Sequence, residues 1–344
     1  MEIIAGDIGG TKSWLAWVSG PDHASHRVSF ERVYRSGDFA DATALLRQFI
    51  HDAQTQSQQV GVAPQYLTLA LPGAVYTRQA KLTNLDWILD AATLQVTLGI
   101  KMVQFINDFQ AAADGVATLT PCDALALNAQ PPEPSGVRAI TGAGTGLGLA
   151  WMAADTTGHY RTFATEGGHV DFAPANAQQE RLLAFIRDER ARQHLSAHVS
   201  WERLVSGPGL DALHRFCRFD MTGSVPEEAL DGATLALRAA DGDDVANAAL
   251  DLFIDLYGAW VGNVALLYRP DGGLYIAGGV ALHLRQRMQS PRFMAACTDK
   301  GRMRSVVERT PIFLITNGRL GVQGAIARCY ETIASERNQA RSTQ

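Results

Sequence analysis

Short apolar runs punctuated by glycine alternate with helical periodicities along this chain. The run Glu2 to Asp7 stops at Gly9-Gly10-Thr11 and resumes over Trp14 to Val18, the pattern of two strands joined by a tight glycine turn. Val28 to Tyr34 predicts a third strand. Behind Asp41, a natural N-cap, Leu45, Leu46, Phe49, Ile50 and Ala53 repeat at helical spacing. Tyr66 to Leu71 predicts a strand closed by Pro72-Gly73. Met102 to Ile106 predicts another, which delivers Asn107 and Asp108 at a sheet rim, where α/β proteins build their sites.

A loop over Gln130 to Gly136, with Pro131, Pro132 and Pro134, separates two similar beginnings. After it comes Ala139-Ile140-Thr141-Gly142-Ala143-Gly144-Thr145-Gly146-Leu147-Gly148-Leu149-Ala150-Trp151, which echoes Gly6-Asp7-Ile8-Gly9-Gly10-Thr11 followed by Leu15-Ala16-Trp17. Strand, glycine-threonine turn and strand thus occur twice, as expected of a duplicated α/β unit. Helices are predicted over Gln179 to Gln193, Gly209 to Phe219 and Val245 to Tyr268, the last punctuated by Gly258 and Gly262. Strands follow at Gly273 to Ala277, ending in Gly278-Gly279, and at Ile312 to Ile315. A helix near Val322 to Ile333 precedes a polar tail expected to fray.

At 344 residues the chain suits two lobes, and two lobes can form a cleft. A formal charge of -5 and a pI near 6.0 supply no basic footprint, which turns attention from nucleic acid and anionic membranes to a small-molecule ligand. No stretch is expected to approach the roughly 18 apolar residues of a membrane span. Met1 to Gly10 lacks the basic start and cleavage site of a secretory signal, so a cytoplasmic protein is expected. Cys122, Cys217, Cys297 and Cys329 lie far apart without a CxxC pair, and read as reduced, mostly buried thiols rather than a zinc or disulfide framework.

The 32 glycines call for a local explanation, and the two turns provide one. Glycine lets backbone N–H groups approach anionic oxygens, and threonine adds a hydroxyl, so Gly9-Gly10-Thr11 and Gly142 to Gly148 suit phosphates. Alone, either turn would read as a hairpin corner; neither ends in the Gly-Lys-Thr or Gly-Lys-Ser of a Walker loop. Asp7 is placed to hold Mg²⁺ through water, since that ion keeps much of its hydration shell. Gly278-Gly279, after a strand, is a candidate adenosine contact. Asp108 is the candidate general base, with Asn107 beside it to position a hydroxyl, although an Asn-Asp pair by itself is commonly a turn or helix cap. In Glu166-Gly167-Gly168-His169, two flat polar side chains flank glycines that admit a polyhydroxylated ring, and Glu202 can join them. His198 and Glu202, one helical turn apart, read equally as a solvent-facing pair.

Taken together, Asp7-Ile8-Gly9-Gly10-Thr11, Asn107-Asp108-Phe109, Gly142 to Gly148, Glu166-Gly167-Gly168-His169-Val170-Asp171-Phe172-Ala173-Pro174, Ser206-Gly207-Pro208-Gly209-Leu210 and Ala277-Gly278-Gly279 resemble, in this order, the bacterial glucokinases. The resemblance spans nearly the whole chain. Its specific parts are the Glu166 to Pro174 and Ser206 to Leu210 runs; the glycine turns occur throughout the superfamily of actin, heat-shock ATPases and sugar kinases. It implies an α/β, actin-like (ribonuclease H-like) duplicated fold, two lobes with ATP and sugar in the cleft between them, and closure on sugar binding. It places residues 1–116 in a small lobe completed by a C-terminal helix over 318–336, and residues 117–317 in a large lobe. It implies Asp108 as base on the 6-hydroxyl, with Asn107, Asp108, Glu166, His169 and Glu202 holding glucose. Asp7, Gly9, Gly10, Thr11, Gly142, Gly144, Thr145, Gly146, Gly278 and Gly279 would hold ATP, with Mg²⁺ at Asp7, in a homodimer.

The chain departs from the family pattern at several points. Lys12 stands where the family often has asparagine, as in the related repressors, open-reading-frame proteins and kinases, whose cysteine-rich zinc motif is missing here. Thr83-Asn84-Leu85-Asp86-Trp87 departs from the family's sugar-side loop, and Asp220 to Gly242 receives no role. Two rivals remain at this stage: a kinase for mannose or fructose, and a sugar-sensing regulator without turnover.

Overall fold

The hairpin expected at the N-terminus seeds the first sheet. Strands β1 (Glu2–Ile8), β2 (Lys12–Ser19) and β3 (Arg27–Arg35) run antiparallel, and β4 (Tyr66–Leu71) follows on the other side of β1. A small hairpin, β5 (Gln79–Lys81) with β6 (Ile88–Asp90), precedes β7 (Met102–Asn107). In this computed structural model, which describes residues 1–57, 61–73, 75, 78–82, 85–225 and 228–342, the sheet order is β3-β2-β1-β4-β7, with β4 and β7 parallel to β1. Thr83 and Asn84 lie outside the described residues. The sheet belongs to the first of two compact units, Met1–Thr120 with Asn317–Gln344; the second is Pro121–Thr316.

The pleat sends alternate side chains of β1 to opposite faces, and both faces are covered. Ile4 and Ile8 pack with Leu45, Leu46, Phe49 and Ala53 of helix Ala42–Gln56, which Asp41 caps by accepting from Ala44 N at 2.7 Å. Ile3 and Ala5 pack with Val322, Ala325, Ile326 and Cys329 of the C-terminal helix. That helix runs Leu320–Ser342, so the expected frayed tail is instead helical through Ser342: Ala334, Glu336, Arg337 and Gln339 are all good helix formers. Its start crosses helix Asp108–Gly115 at backbone contact, where a methyl on Gly324 would overlap the carbonyl oxygen of Ala111.

The second unit holds β8 (Ala124–Ala126), β9 (Arg138–Ala143), β10 (Leu147–Ala154), β11 (Tyr160–Thr165), β12 (Leu274–Ala277) and β13 (Ile312–Ile315), in the order β11-β10-β9-β12-β13-β8. Again the first three strands are antiparallel, and the fourth and fifth run parallel to the first. Strand order and polarity thus repeat those of the first sheet, and the two echoing sequence segments lie on matching hairpins. What differs is β8 and the helical mass between β11 and β13.

In that mass, helix Asp244–Tyr268 forms the spine, with Phe253, Tyr257, Trp260 and Val261 buried against Phe216 and Phe293. Contrary to expectation, this helix is long and apolar enough to span a membrane, but 67% of its most apolar stretch is buried inside the protein, which identifies a core helix. Gly258 and Gly262 are contact points, because methyls there would press on the backbone of helix Pro291–Thr298 at Phe293 and Cys297. The segment left without a role contains helix Gly232–Ala240, capped by Asp231 and anchored by buried Leu235 and Ala239. Cys217, Cys297 and Cys329 are buried and Cys122 exposed; burial pushes the Cys217 and Cys297 thiols up to about 12 and Cys329 to about 11.

Candidate active site

Because β1, β4 and β7 are parallel, their C-terminal ends share one rim, which collects Asp7 to Gly10, Pro72-Gly73 and Asn107-Asp108. Strands pack about 4.8 Å apart, which puts Asp7 and Asp108 roughly 10 Å from each other along it. Asp108 opens helix Asp108–Gly115, where the positive end of the helix favours a carboxylate, and its Oδ1 accepts from Phe109 N at 2.9 Å. Asn107 is the N-cap: its Oδ1 accepts from Gln110 N at 3.0 Å and its Nδ2 donates to Gly73 O at 2.9 Å. The cap reading and the site reading of this Asn-Asp pair are therefore compatible, since the cap fixes where Asp108 stands.

The first glycine turn closes with Gly9 N donating to Lys12 O at 3.0 Å, and Thr11 and Lys12 are exposed. A residue the sequence reading missed holds it in place. Buried Ser36 donates its hydroxyl to Gly9 O at 2.7 Å and its N–H to Thr11 O at 3.0 Å, with Ser13 Oγ 2.9 Å from its own. Nothing in Ser36-Gly37-Asp38 distinguishes it from an ordinary post-strand turn. Asp7, half-buried, has its carboxyl pushed up to about 6 by burial, against the downward pull of the Lys12 ammonium. Among the described residues no hydrogen-bond donor reaches this carboxylate. The C-terminal helix begins against it, and a methyl on Gly321 would lie 2.5 Å from Asp7 Oδ2.

In the second unit the glycine turn Gly144-Thr145-Gly146 caps the β9–β10 hairpin, with Gly144 N donating to Gly146 O at 2.8 Å. Three segments brace it. Gly207 N donates to Gly144 O at 2.8 Å, linking the Ser206 to Leu210 run to the turn; Tyr257 Oη accepts from Ala143 N at 3.1 Å; Leu147 N donates to Glu202 Oε2 at 3.0 Å. Ala277 pairs with Gly142, and Gly278, at φ 97°, has a hydrogen where a methyl would meet Ala143 O at 2.5 Å. Gly142, Gly144, Thr145, Gly146, Gly278 and Gly279 thus come together, and the Thr145 side chain is exposed.

The Gly167–His169 turn packs so tightly on β10 that a methyl on Gly168 would overlap Leu147 O. This brings three carriers of the sequence reading together: His169 Nε2 is 3.8 Å from Glu166 Oε2, and His169 Nδ1 is 3.7 Å from Glu202 Oε1. These separations exceed a hydrogen bond, so the three side chains stand close together without bonding to each other. Glu166 and His169 remain more than half exposed. His198 does not pair with Glu202. The chain there is not helical, and His198 Nε2 instead lies 2.7 Å from Asp171 Oδ1.

A family model described as Glucokinase matches residues 4–332. The chain is 37% identical over 342 residues to the glucokinase of Nostoc sp., covering 94% of this chain and 97% of that protein. It is 31% identical over 322 residues to the glucokinase of Yersinia enterocolitica, covering 94% of each. Among solved structures, a glucokinase from an Antarctic psychrotroph matches with a TM-score of 0.80 at 27% identity, over 96% of this chain and 99% of that one. A ROK family glucokinase from Streptomyces griseus, solved with glucose and AMPPNP, shares the fold at a TM-score of 0.60 and 20% identity, over 96% of this chain and 100% of that one. The fold is that of the sugar kinases of mixed α/β architecture. Within that class, the chain belongs to the glucokinase family.

Proposed function

We propose that this chain transfers the γ-phosphoryl group of ATP to the 6-hydroxyl of glucose, giving glucose 6-phosphate and ADP. The observation that carries the reading is the convergence of Glu166, His169 and Glu202 on a glycine-threonine turn, with Glu202 tied to that turn through Leu147 N. A polyhydroxylated ring suits that cluster, because carboxylates and an imidazole accept and donate to neighbouring hydroxyls in pairs. Asn107 Nδ2 keeps a second hydrogen for the sugar beside the one given to Gly73 O. Asp108 takes the 6-hydroxyl proton as that oxygen attacks the γ-phosphorus, the bond to the bridging oxygen breaks, and ADP leaves. Gly10 and Thr11 offer N–H and hydroxyl groups suited to phosphate, as do Thr145 and Gly146; Gly9 and Gly144, whose own N–H groups close the turns, allow close approach, and Gly278 and Gly279 are assigned to the adenosine.

The repeated strand order and polarity of the two sheets support a duplicated, actin-like fold. A carboxylate that no hydrogen-bond donor reaches among the described residues fits an ion that keeps its water, so Asp7 would hold Mg²⁺ through water. When bound, Mg²⁺ neutralises charge on the phosphate oxygens. Gly321 leaves the space that Asp7 needs: Gly321→Ala is expected to raise the KM for Mg-ATP about tenfold or more, the usual scale for displacing a ligand's support, with glucose affinity retained. Steady-state titration of Mg-ATP beside calorimetry with glucose checks both halves. The same reading includes a homodimer and a cytoplasmic setting.

The deciding experiment is a coupled assay of the purified protein with Mg-ATP and a panel of hexoses. Glucose should turn over fastest, with mannose and fructose at least about tenfold behind in kcat/KM, as loss of one matched hydroxyl contact in a polar site implies. Equal rates on fructose would reassign the substrate. No turnover of any hexose would leave a sugar-sensing protein in place of the kinase.

A further inference from the structure

Beside the second glycine turn, the Pro121–Thr316 unit contains a cavity of about 320 Å³. Helices Ala177–Arg192 and Gly207–Thr222 supply much of its lining, and Thr145, Glu202 and Arg203 line it as well. Its charges are segregated. Arg215 sits between two carboxylates, 2.8 Å from Glu189 Oε2 and 3.3 Å from Asp211 Oδ2, so that corner is net anionic and is not where an anion would bind. Arg190 and Arg203 are not matched in this way. The Arg190 Nε donates to Ser196 O at 2.5 Å, a neutral acceptor, and among the described residues neither guanidinium has a carboxylate within ion-pair distance. Glu202, next to Arg203 in sequence, directs Oε2 to Leu147 N and Oε1 toward His169. Burial and the neighbouring Arg203 charge both hold the Arg190 pKa below its ordinary value. Arg190 is partly buried and Arg203 exposed, so the two cations repel through solvent-screened space, and a bound anion relieves that repulsion.

We propose that this cavity is an anion site that takes a phosphate dianion between Arg190 and Arg203, either as orthophosphate or as the phosphate of a small monoester. Guanidinium groups present N–H donors in a planar fork that matches phosphate oxygens, and the cavity is of the size that holds a small metabolite. Because Thr145 lines the same cavity, an anion held between Arg190 and Arg203 would repel the phosphates of ATP at that turn, so the site would reduce turnover when phosphate or phosphorylated product accumulates. That regulatory step rests on the role proposed for Thr145; the binding step does not.

Binding is therefore tested without ATP. Calorimetry with orthophosphate and, separately, glucose 6-phosphate, each in saturating glucose to occupy the sugar cluster, should show saturable uptake by the wild-type protein. At least tenfold weaker binding is expected in both Arg190→Gln and Arg203→Gln. Tighter binding of glucose 6-phosphate than of orthophosphate identifies a monoester as the natural occupant, and equal binding identifies free phosphate. A measurement that needs no variant is protection from phenylglyoxal: orthophosphate should slow modification of Arg190 and Arg203, mapped by peptide mass, and leave exposed Arg302 unaffected. Absence of saturable uptake of either ligand by the wild type below about 10 mM, unchanged affinity in both variants, or equal modification rates with and without phosphate would each overturn the site. Phosphate binding in a protein that fails to phosphorylate any hexose would keep the site and remove the kinase.

Discussion

Asp108→Asn is expected to lower kcat about a thousandfold while glucose affinity stays within about threefold, the range that removal of a positioned general base produces. The substitution keeps shape and keeps an oxygen that can accept from Phe109 N, the bond of 2.9 Å that orients the side chain. Asn107 still caps the helix through Gln110 N, so the rim should hold its geometry. What disappears is the ability to take a proton. A smaller loss also follows, because a negative charge at the first turn of a helix contributes about 0.3–1 kcal/mol of stability. Turnover from the coupled assay, glucose affinity from calorimetry and a thermal melt separate the two effects. A variant that keeps more than about a tenth of wild-type kcat takes Asp108 out of the base role.

Gly168→Ala is expected to raise the KM for glucose about a hundredfold or more and to lower thermal stability. Its methyl would overlap Leu147 O and stand 3.0 Å from Leu147 C and 3.1 Å from Leu147 Cβ, so the obstacle is backbone and cannot swing aside. Relief requires the Glu166 to His169 turn to lift off β10. Leu147 N is also the group that holds Glu202, so movement on either side separates the three side chains assigned to the sugar. Misplacement of about 1 Å is enough for a loss on this scale. Gly37→Ala is the matched control, since its methyl meets nothing within 4 Å, and it should stay within about 0.5 kcal/mol of wild type. Wild-type kinetics in Gly168→Ala would mean that the tight seat of this turn is unimportant to the sugar cluster.

Both variants concern residues the sequence already marks, and the reason is local. A glycine turn between apolar runs, a carboxylate at a strand end and the Asp41 cap each depend on residues within a few positions of one another, so their chemistry is legible in order along the chain. The same holds for the long core helix, whose apolar residues recur at helical spacing, although its interior position could not be read from composition that also suits a membrane. Edge strands such as β5, β6 and β8 span three residues each, too short to carry a period. Helix Gly232–Ala240 was missed because its commitment comes from packing Leu235 and Ala239 into a core built by distant segments.

The sequence alone determined the α/β class, the two hairpins with their glycine-threonine turns, and the residue types available for phosphate, base and sugar. Tertiary structure alone decided which of them meet. Ser36 braces the first turn from 27 positions beyond Gly9, Gly321 frames Asp7 from the far end of the chain, and Arg190 and Arg203 share one cavity although one belongs to a helix and the other to the short turn before the next. Hydrogen bonding and periodicity within a segment act over a few residues and leave a trace in the order of amino acids. The close approach of separate segments is set by how whole elements pack, and no local pattern records it.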